Sequence, residues 1–252
     1  MSQQLQERTQ QDCTNPPAKF DDLRVLFLNC TLKRTPVLSH TEGLLKIAQS
    51  IFEANGVRTN IIRPVDYVIT SGLEHDLSQT PEWDRDDWPQ IQKEIDACDI
   101  LIIGTSVWLG EKSSVCNHVL ERMYGYTHQF NEKGQYRDYG KVGATLITGN
   151  EDGVKHCAMS ILFGLSHIGY TVPPQADAGW MGEAGPGPSY MDPGSGGPEN
   201  DFTNRNTTFL AWNCLHMARM LKDQGGIPAH GNVSEVWDAG CKSDFDSPEH
   251  KR

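Results

Sequence analysis

Five short apolar segments recur along the chain, and they predict the strands of one sheet. The clearest runs from Ile100 to Ile103 and is followed at once by Gly104. Because both faces of this run are apolar, it is typical of a strand buried inside a parallel sheet. The other predicted strands are residues 24–29, 57–63, 141–148 and a short segment near 171–172.

Segments with a helical spacing of apolar residues lie between these strands. Residues 41–55, for example, place Leu44, Leu45 and Ala48 on one face, and Gly56 follows where a left-handed cap residue belongs. The same pattern predicts helices near residues 87–97, 113–124, 154–168 and 204–222. Strands that alternate with helices imply parallel pairing through right-handed crossovers, so the sequence predicts an α/β fold.

These elements predict a single domain at residues 23–224, with polar segments at both ends. Residues 1–22 are Gln-rich and predict a disordered or loosely docked arm, and residues 225–252 predict a polar tail. Two long connections interrupt the domain, an acidic one at 64–87 and a Gly/Pro-rich one at 173–201. The composition of the second excludes a regular helix or a central strand. We expect it to act as a lid or a subunit contact, in which Trp180 or Tyr190 could cover a ligand.

Composition and charge exclude several classes of protein. The formal net charge of −11 argues against a nucleic-acid partner, whose phosphates require a basic surface. Only 37% of the residues are hydrophobic, no run is long enough for a membrane span, and the N-terminus lacks the apolar core of a secretory signal. The seven cysteines show no C-x-x-C spacing, so we predict no metal site, mostly buried thiols and a reducing cytoplasmic location.

The loop after the first strand has the composition of a phosphate site. Its hydroxyl and basic side chains are Thr31, Lys33, Arg34, Thr35, Ser39, His40 and Thr41, and a helix follows. Free N–H groups, the positive end of the helix dipole and short hydroxyl donors together suit a dianionic phosphate. The alternative is an ordinary capping loop, because serine and threonine commonly precede helices.

The loop after the central strand could bind a flat heteroaromatic ligand. Ligands in open α/β sheets bind at the carboxyl ends of the strands. Here Thr105 and Ser106 offer hydroxyls and backbone amides for a polar edge, and the indole of Trp108 could cover a face. The alternative is that Trp108 only packs against the protein.

The loop after the fourth strand runs Thr148-Gly149-Asn150-Glu151-Asp152-Gly153. Glycine permits a close approach of backbone to a ring, and the Asn150 amide could meet its polar edge. A glycine turn with an acidic helix start would explain the same residues. The chain lacks the G-x-G-x-x-G, P-loop and G-x-S-x-G motifs, which disfavours a Rossmann dehydrogenase, a P-loop NTPase and an α/β-hydrolase.

The segment Gly104 to Gly110, with Leu120-Glu121-Arg122 downstream, resembles the second flavin loop of flavodoxin-like NAD(P)H:quinone oxidoreductases and NADPH-dependent FMN reductases. That loop usually begins Gly-Thr-Pro, and Ser106 stands here in place of the proline. The loops at 31–41 and 148–153 resemble the first and third flavin loops, with Lys33 where the family has arginine. The resemblance covers roughly residues 23–222.

This resemblance implies a flavodoxin-like three-layer sandwich, with a five-stranded parallel sheet in the order 2-1-3-4-5 known for flavodoxin. It implies FMN as the cofactor, bound by Thr31, Lys33, Ser39, His40, Thr41, Thr105, Ser106, Val107, Trp108, Leu109, Gly110, Thr148, Gly149, Asn150, Glu151 and Gly153. NADPH or NADH would donate a hydride to FMN, and a quinone or other small acceptor would take the electrons. The flavin would carry the redox chemistry without a catalytic side chain, in a homodimer or homotetramer.

Two other functions stay open at this point. A flavodoxin-like electron carrier would use the acidic surface to dock on a basic redox partner, although a minimal carrier needs no long insertions. A flavin-binding regulatory or scaffold protein is the third possibility. Consumption of NAD(P)H in the presence of a quinone separates the enzyme from the other two.

Overall fold

A five-stranded parallel sheet forms the centre of the fold. The computed structural model describes residues 16–185 and 187–240. The strands are β1 (Arg24–Cys30), β2 (Arg58–Ile62), β3 (Ile100–Trp108), β4 (Glu111–Lys112), β5 (Val142–Asn150) and β6 (Asp177–Gly182). The parallel strands are ordered β2-β1-β3-β5-β6, and the short β4 pairs antiparallel with the end of β3. Counted without β4, this is the predicted order 2-1-3-4-5, and the flavodoxin-like fold is confirmed.

Helices cover both faces of the sheet and make the three layers. They are α1 (His40–Ala54), α2 (Trp88–Ala97), α3 (Ser114–Tyr124), α4 (Val154–His167), α5 (Asp201–Asp223) and α6 (Ser234–Asp238). Successive residues of β1 point to opposite faces, so Phe27 packs with α1 and α5 while Leu28 packs with α2, α3 and α4. Burial of both faces explains why the strands read as continuous apolar runs.

The fifth parallel strand lies later in the chain than the sequence predicted. Near residue 171 there is only a single bridge, from Thr171 to Val142, whereas β6 lies inside the Gly/Pro-rich segment, whose composition excludes a regular helix or a central strand. This segment can pair because β6 is an edge strand, bonded on one side to β5. A Cβ on Gly179 would lie 2.6 Å from the Ile147 carbonyl oxygen, so glycine is needed for this close pairing.

The polar ends of the chain are more ordered than predicted over the described residues. Phe20 is buried and packs edge-on against Trp212 of α5, so the core begins inside the predicted arm. The predicted tail contains α6, and the Gln135 amide donates hydrogen bonds to the carbonyl oxygens of Ile227 and Pro228. Residues 1–15 and 241–252 lie outside the described residues.

Buried thiols agree with the sequence prediction where they are described. Cys30, Cys98, Cys116, Cys157 and Cys214 are free and buried, and Cys13 and Cys241 lie outside the described residues. Over residues 16–185 and 187–240, no cluster of His, Cys, Asp or Glu is arranged to hold a metal ion. In the same part of the chain, no helix has the length and apolarity to cross a membrane.

A buried ion pair anchors the acidic connection at 64–87. Arg122 of α3 donates to the Asp86 carboxylate at 2.7 Å, and the two side chains are 1% and 0% exposed. The same guanidinium donates to the carbonyl oxygens of Thr70, Glu74 and His75. The connection is therefore fixed to the helix that follows the central strand.

Candidate functional site

A cavity of about 410 Å³ lies at the carboxyl ends of β1, β3 and β5. The loops that follow these strands meet there, as the parallel topology requires. Its walls are formed by Thr31, Leu32, Lys33, His40, Thr41, Ser106, Val107, Trp108, Leu109, Gly110, Thr148, Gly149, Asn150, Glu151, Asp152, Trp180, Ser189 and Tyr190.

Three of the predicted site residues support the walls from behind. The Ser39 hydroxyl caps α1 by accepting from the Glu42 N–H at 3.2 Å, and it is buried. The Thr105 hydroxyl accepts from the Ser113 N–H at 3.1 Å. Gly153 is the N-cap residue of α4, with a φ of 80°. The other predicted residues line the cavity, and whether they bind a ligand stays a prediction.

Five further residues line the cavity that were not among the predicted site residues. They are Leu32, Asp152, Trp180, Ser189 and Tyr190. Trp180 lies on β6, and Tyr190 lies in the segment that follows it. Their rings contact edge-on, with centroids 5.6 Å apart. Their aromatic character within a Gly/Pro-rich stretch was the only signal in the sequence, and it did not show which strand would carry them.

The first loop presents the start of α1 to the cavity. The N–H groups of the first turn of a helix have no partners within the helix, and the helix dipole makes this end positive. Lys33 and His40 line the same wall. Below them the hydroxyls of Thr41 and Thr148 share a 2.8 Å hydrogen bond, which joins the first and third loops at the floor.

The surroundings of His40 favour its neutral imidazole form. Its Nδ1 accepts the Met191 N–H at 3.1 Å, so that nitrogen carries no proton. Burial lowers the pKa of His40 and Lys33 acts in the same direction, against the opposing effect of Asp192. The lowered pKa of His40 disfavours its charged form, which leaves Lys33 as the main source of positive charge on this wall.

The second loop continues β3 into a short hairpin with β4. Trp108 is 53% exposed, and its indole N–H donates to the Ser106 hydroxyl at 2.9 Å. Leu109 at the tip is fully exposed and has a φ of 53°. The hairpin is joined to α4 by Glu111, whose carboxylate lies 2.6 Å from His156 Nε2. The indole is thus available at the cavity mouth, and packing alone does not account for it.

A strap, residues 187–191, joins the first and third loops across the cavity edge. The Asn150 amide donates to the carbonyl oxygen of Pro188 at 3.4 Å, and Glu151 accepts from the Gly185 N–H at 2.7 Å. At the other end the Met191 N–H bonds to His40. These contacts fix both ends of the strap, which is unlike a free linker.

The residues present fit a flavin mononucleotide. One end of the cavity offers a helix N-terminus and Lys33, which suit a phosphate, and the opposite walls offer amides, hydroxyls and an indole, which suit a planar ring. A Cβ on Gly149 would lie 2.7 Å from Val107, so glycine is needed for the close packing of the second and third loops at this wall.

The model of the family "NADPH-dependent FMN reductase" matches residues 23–180. This match runs from β1 into β6 and includes all three loops of the cavity. The chain therefore belongs to this family, and the resemblance found in the sequence is confirmed. The description of this family is that of reductases that act with FMN, so the family match is to flavin-dependent oxidoreductases.

The proteins that are similar to the chain include two curated relatives and one solved structure described below. A protein of Mycobacterium bovis named divalent metal cation transporter MntH is 53% identical over 229 residues, which is 86% of this chain. The chain spans only 33% of the length of that relative. The 8-demethyl-8-aminoriboflavin-5'-phosphate synthase of Streptomyces davaonensis is 35% identical over 205 residues, 80% of this chain and 79% of that protein.

One similar solved structure is that of RosB with a bound intermediate, 8-demethyl-8-formylriboflavin-5'-phosphate. It is 31% identical in sequence and has a TM-score of 0.78. The match covers 89% of this chain and 88% of RosB, so nearly the whole fold is shared.

Proposed function

We propose that this member of the NADPH-dependent FMN reductase family holds FMN in the described cavity and passes hydride from NADPH or NADH to a quinone or another small acceptor. One observation carries the proposal: three loops converge on one cavity, which has a helix N-terminus and Lys33 at one end and amides, hydroxyls and an indole on the opposite walls. The family match supports FMN and oxidoreductase chemistry. The nicotinamide donor and the quinone are the proposed extension.

Each loop has a distinct task in this proposal. The start of α1, with Thr31 and Lys33, holds the phosphate by N–H groups and one positive charge. Trp108 borders the ring at the mouth, and Asn150 orients its polar edge. FMN bound in this cavity would supply the redox chemistry, while the protein would bind it, orient it and limit access to it. Because Trp108 and Leu109 are exposed at the mouth, donor and acceptor would enter there in turn.

The first test is the identity of the chromophore. We expect the purified protein to retain FMN, with a flavin absorbance spectrum and about one flavin released per chain on denaturation. Chromatography of the released flavin identifies it as FMN, FAD or riboflavin. A protein that neither retains FMN nor binds it on titration would contradict the proposed cofactor site.

The second test concerns the order of the two half-reactions. A single cavity that receives both substrates predicts parallel double-reciprocal lines in initial-rate kinetics with NAD(P)H and a small quinone. Intersecting lines would mean that both substrates bind at once, and the shared-site mechanism would be wrong. An absence of NAD(P)H oxidation with every quinone, flavin and dye acceptor would favour the electron-carrier function.

A second candidate function is suggested by the synthase relative and by RosB. Both names refer to riboflavin 5'-phosphates altered at position 8. In this alternative, the same cavity would hold riboflavin 5'-phosphate as a substrate. Mass spectrometry of the flavin after many turnovers separates the two functions, because a cofactor keeps its mass and a substrate does not.

We also propose that the chain forms a homodimer or homotetramer. The support is the exposure of three large apolar side chains, Leu109 on the hairpin and Met159 and Phe163 on α4. Exposed side chains of this size commonly mark subunit contacts. Sedimentation of the purified protein at several concentrations measures the mass, and a monomer at every concentration would contradict the proposal.

A further inference from the structure

Arg63, which follows β2, is bonded to the first cavity loop from behind. Its Nη1 donates to the carbonyl oxygens of Lys33 at 3.2 Å and Val37 at 2.8 Å. Its Nη2 donates to the Glu42 carboxylate in the first turn of α1. Arg63 is not among the residues that line the cavity, so its effect on a ligand must pass through the loop.

Asp66 extends this contact to the middle of the loop. Its carboxylate accepts from the Thr35 backbone N–H at 2.9 Å and from the Thr35 hydroxyl at 2.7 Å. Residues 33, 35 and 37 are therefore all bonded to the turn that begins at Arg63. We call Arg63 and Asp66 the brace.

The brace is secured within the protein by Glu42. This carboxylate also accepts from the Asn29 amide at 3.1 Å and pairs with Lys46 at 2.9 Å. Burial acts to raise the pKa of Glu42, but the hydrogen bonds and charges of Arg63 and Lys46 lower it overall. The Arg63 side chain is only 10% exposed, so water competes little for its hydrogen bonds.

The brace fixes which way the loop peptides face. In a planar trans peptide, the carbonyl oxygen and the N–H point to opposite sides. Because the carbonyl oxygens of Lys33 and Val37 are bonded to Arg63, they cannot turn to meet an anion. The N–H groups of Arg34 and Leu38 then point away from Arg63.

We infer that Arg63 and Asp66 are positioning residues that prepare the loop for the phosphate of its ligand, and that they set the preference for a flavin phosphate over uncharged riboflavin. This inference rests on the proposed function, which assigns the phosphate of FMN to this loop. The brace bonds are made entirely by groups of the protein, so the phosphate does not have to order the loop when it binds. Preorganisation of this kind improves affinity by removing the cost of ordering.

The test compares Arg63→Met and Asp66→Ala with the wild type in fluorescence titrations of flavin-free protein with FMN and with riboflavin. We expect the Kd for FMN to rise about tenfold or more, as the loss of a charged hydrogen bond implies. The Kd for riboflavin should change by less than about twofold, because it has no phosphate for the loop to hold. Arg137→Met is the matched control, since Arg137 bonds Asp96 and Gln129 outside the cavity walls.

Hydrogen exchange supplies a readout that needs no flavin. Amides of residues 31–39 should exchange faster in both brace variants than in the wild type, and should be unchanged in the Arg137 control. Because Arg63→Met could impair folding, Asp66→Ala, which leaves the Arg63–Glu42 pair intact, provides the second variant.

The outcomes separate the inference from the proposed function. If the wild type binds FMN no more tightly than riboflavin, the assignment of the phosphate to this loop fails. If the wild type prefers FMN and both brace variants keep that preference, or exchange is unchanged, the inference about Arg63 and Asp66 is overturned.

Discussion

Replacing Arg122 by methionine is expected to lower the free energy of unfolding by about 3–5 kcal/mol. The substitution keeps the bulk of the side chain but leaves the Asp86 carboxylate, which is 0% exposed, without its counter-charge. An unpaired buried charge costs several kcal/mol, far more than the loss of a surface ion pair. The carbonyl oxygens of Thr70 and Glu74 would lose a donor as well.

Equilibrium denaturation by urea measures this loss, and Arg137→Met is again the control. The ion partner of Arg137, Asp96, is 40% exposed, so the control should cost less than about 1 kcal/mol. Adding Asp86→Leu to Arg122→Met should not restore stability. Asp86 also accepts the N–H groups of Thr70, Leu77 and Trp88, and these would be left unpaired. If Arg122→Met lowered the free energy of unfolding by less than about 1 kcal/mol, the Arg122–Asp86 ion pair would not anchor the acidic connection at 64–87.

The sheet and its three loops could be predicted because their signals are local. Each buried strand reads as an apolar run, and the residue after each run marks where a loop must leave the sheet. The runs at β1, β3 and β5 are of this kind, and the cavity lies at their ends. The strand order came from the family resemblance, since an apolar run does not show which strands will lie beside it in the sheet.

The contacts that fix the loops could not be predicted, because they join residues far apart in sequence. Arg63 reaches Lys33 across 30 residues, and Arg122 reaches Asp86 across 36. The sequence around a charged loop residue does not show which distant residue it will bond to. Strand β6 escaped prediction for a different reason: an edge strand tolerates the glycines that a central strand excludes.

Replacing Gly153 by alanine should lower the free energy of unfolding by about 2–5 kcal/mol, and it should also weaken flavin binding. Gly153 has a φ of 80°, which strains any residue with a Cβ. An added Cβ would also lie 2.5 Å from Val107 Cγ1 and 2.8 Å from the Gly110 carbonyl oxygen. Both neighbours line the cavity, so α4 or the hairpin must move to make room.

Gly185→Ala separates backbone strain from this steric contact. Gly185 has a φ of 96°, but an added Cβ there would meet nothing within 4 Å. The Gly185→Ala substitution should therefore lower the free energy of unfolding only through backbone strain, by about 1–2 kcal/mol. Denaturation and FMN titration of the two variants side by side give the comparison. If both variants lose the same stability and retain the same FMN affinity, the contact between the start of α4 and the hairpin does not shape the cavity. We expect Gly153→Ala to lose more stability and more FMN affinity than Gly185→Ala, because the displaced hairpin carries Trp108 and Gly110 away from the opposite wall.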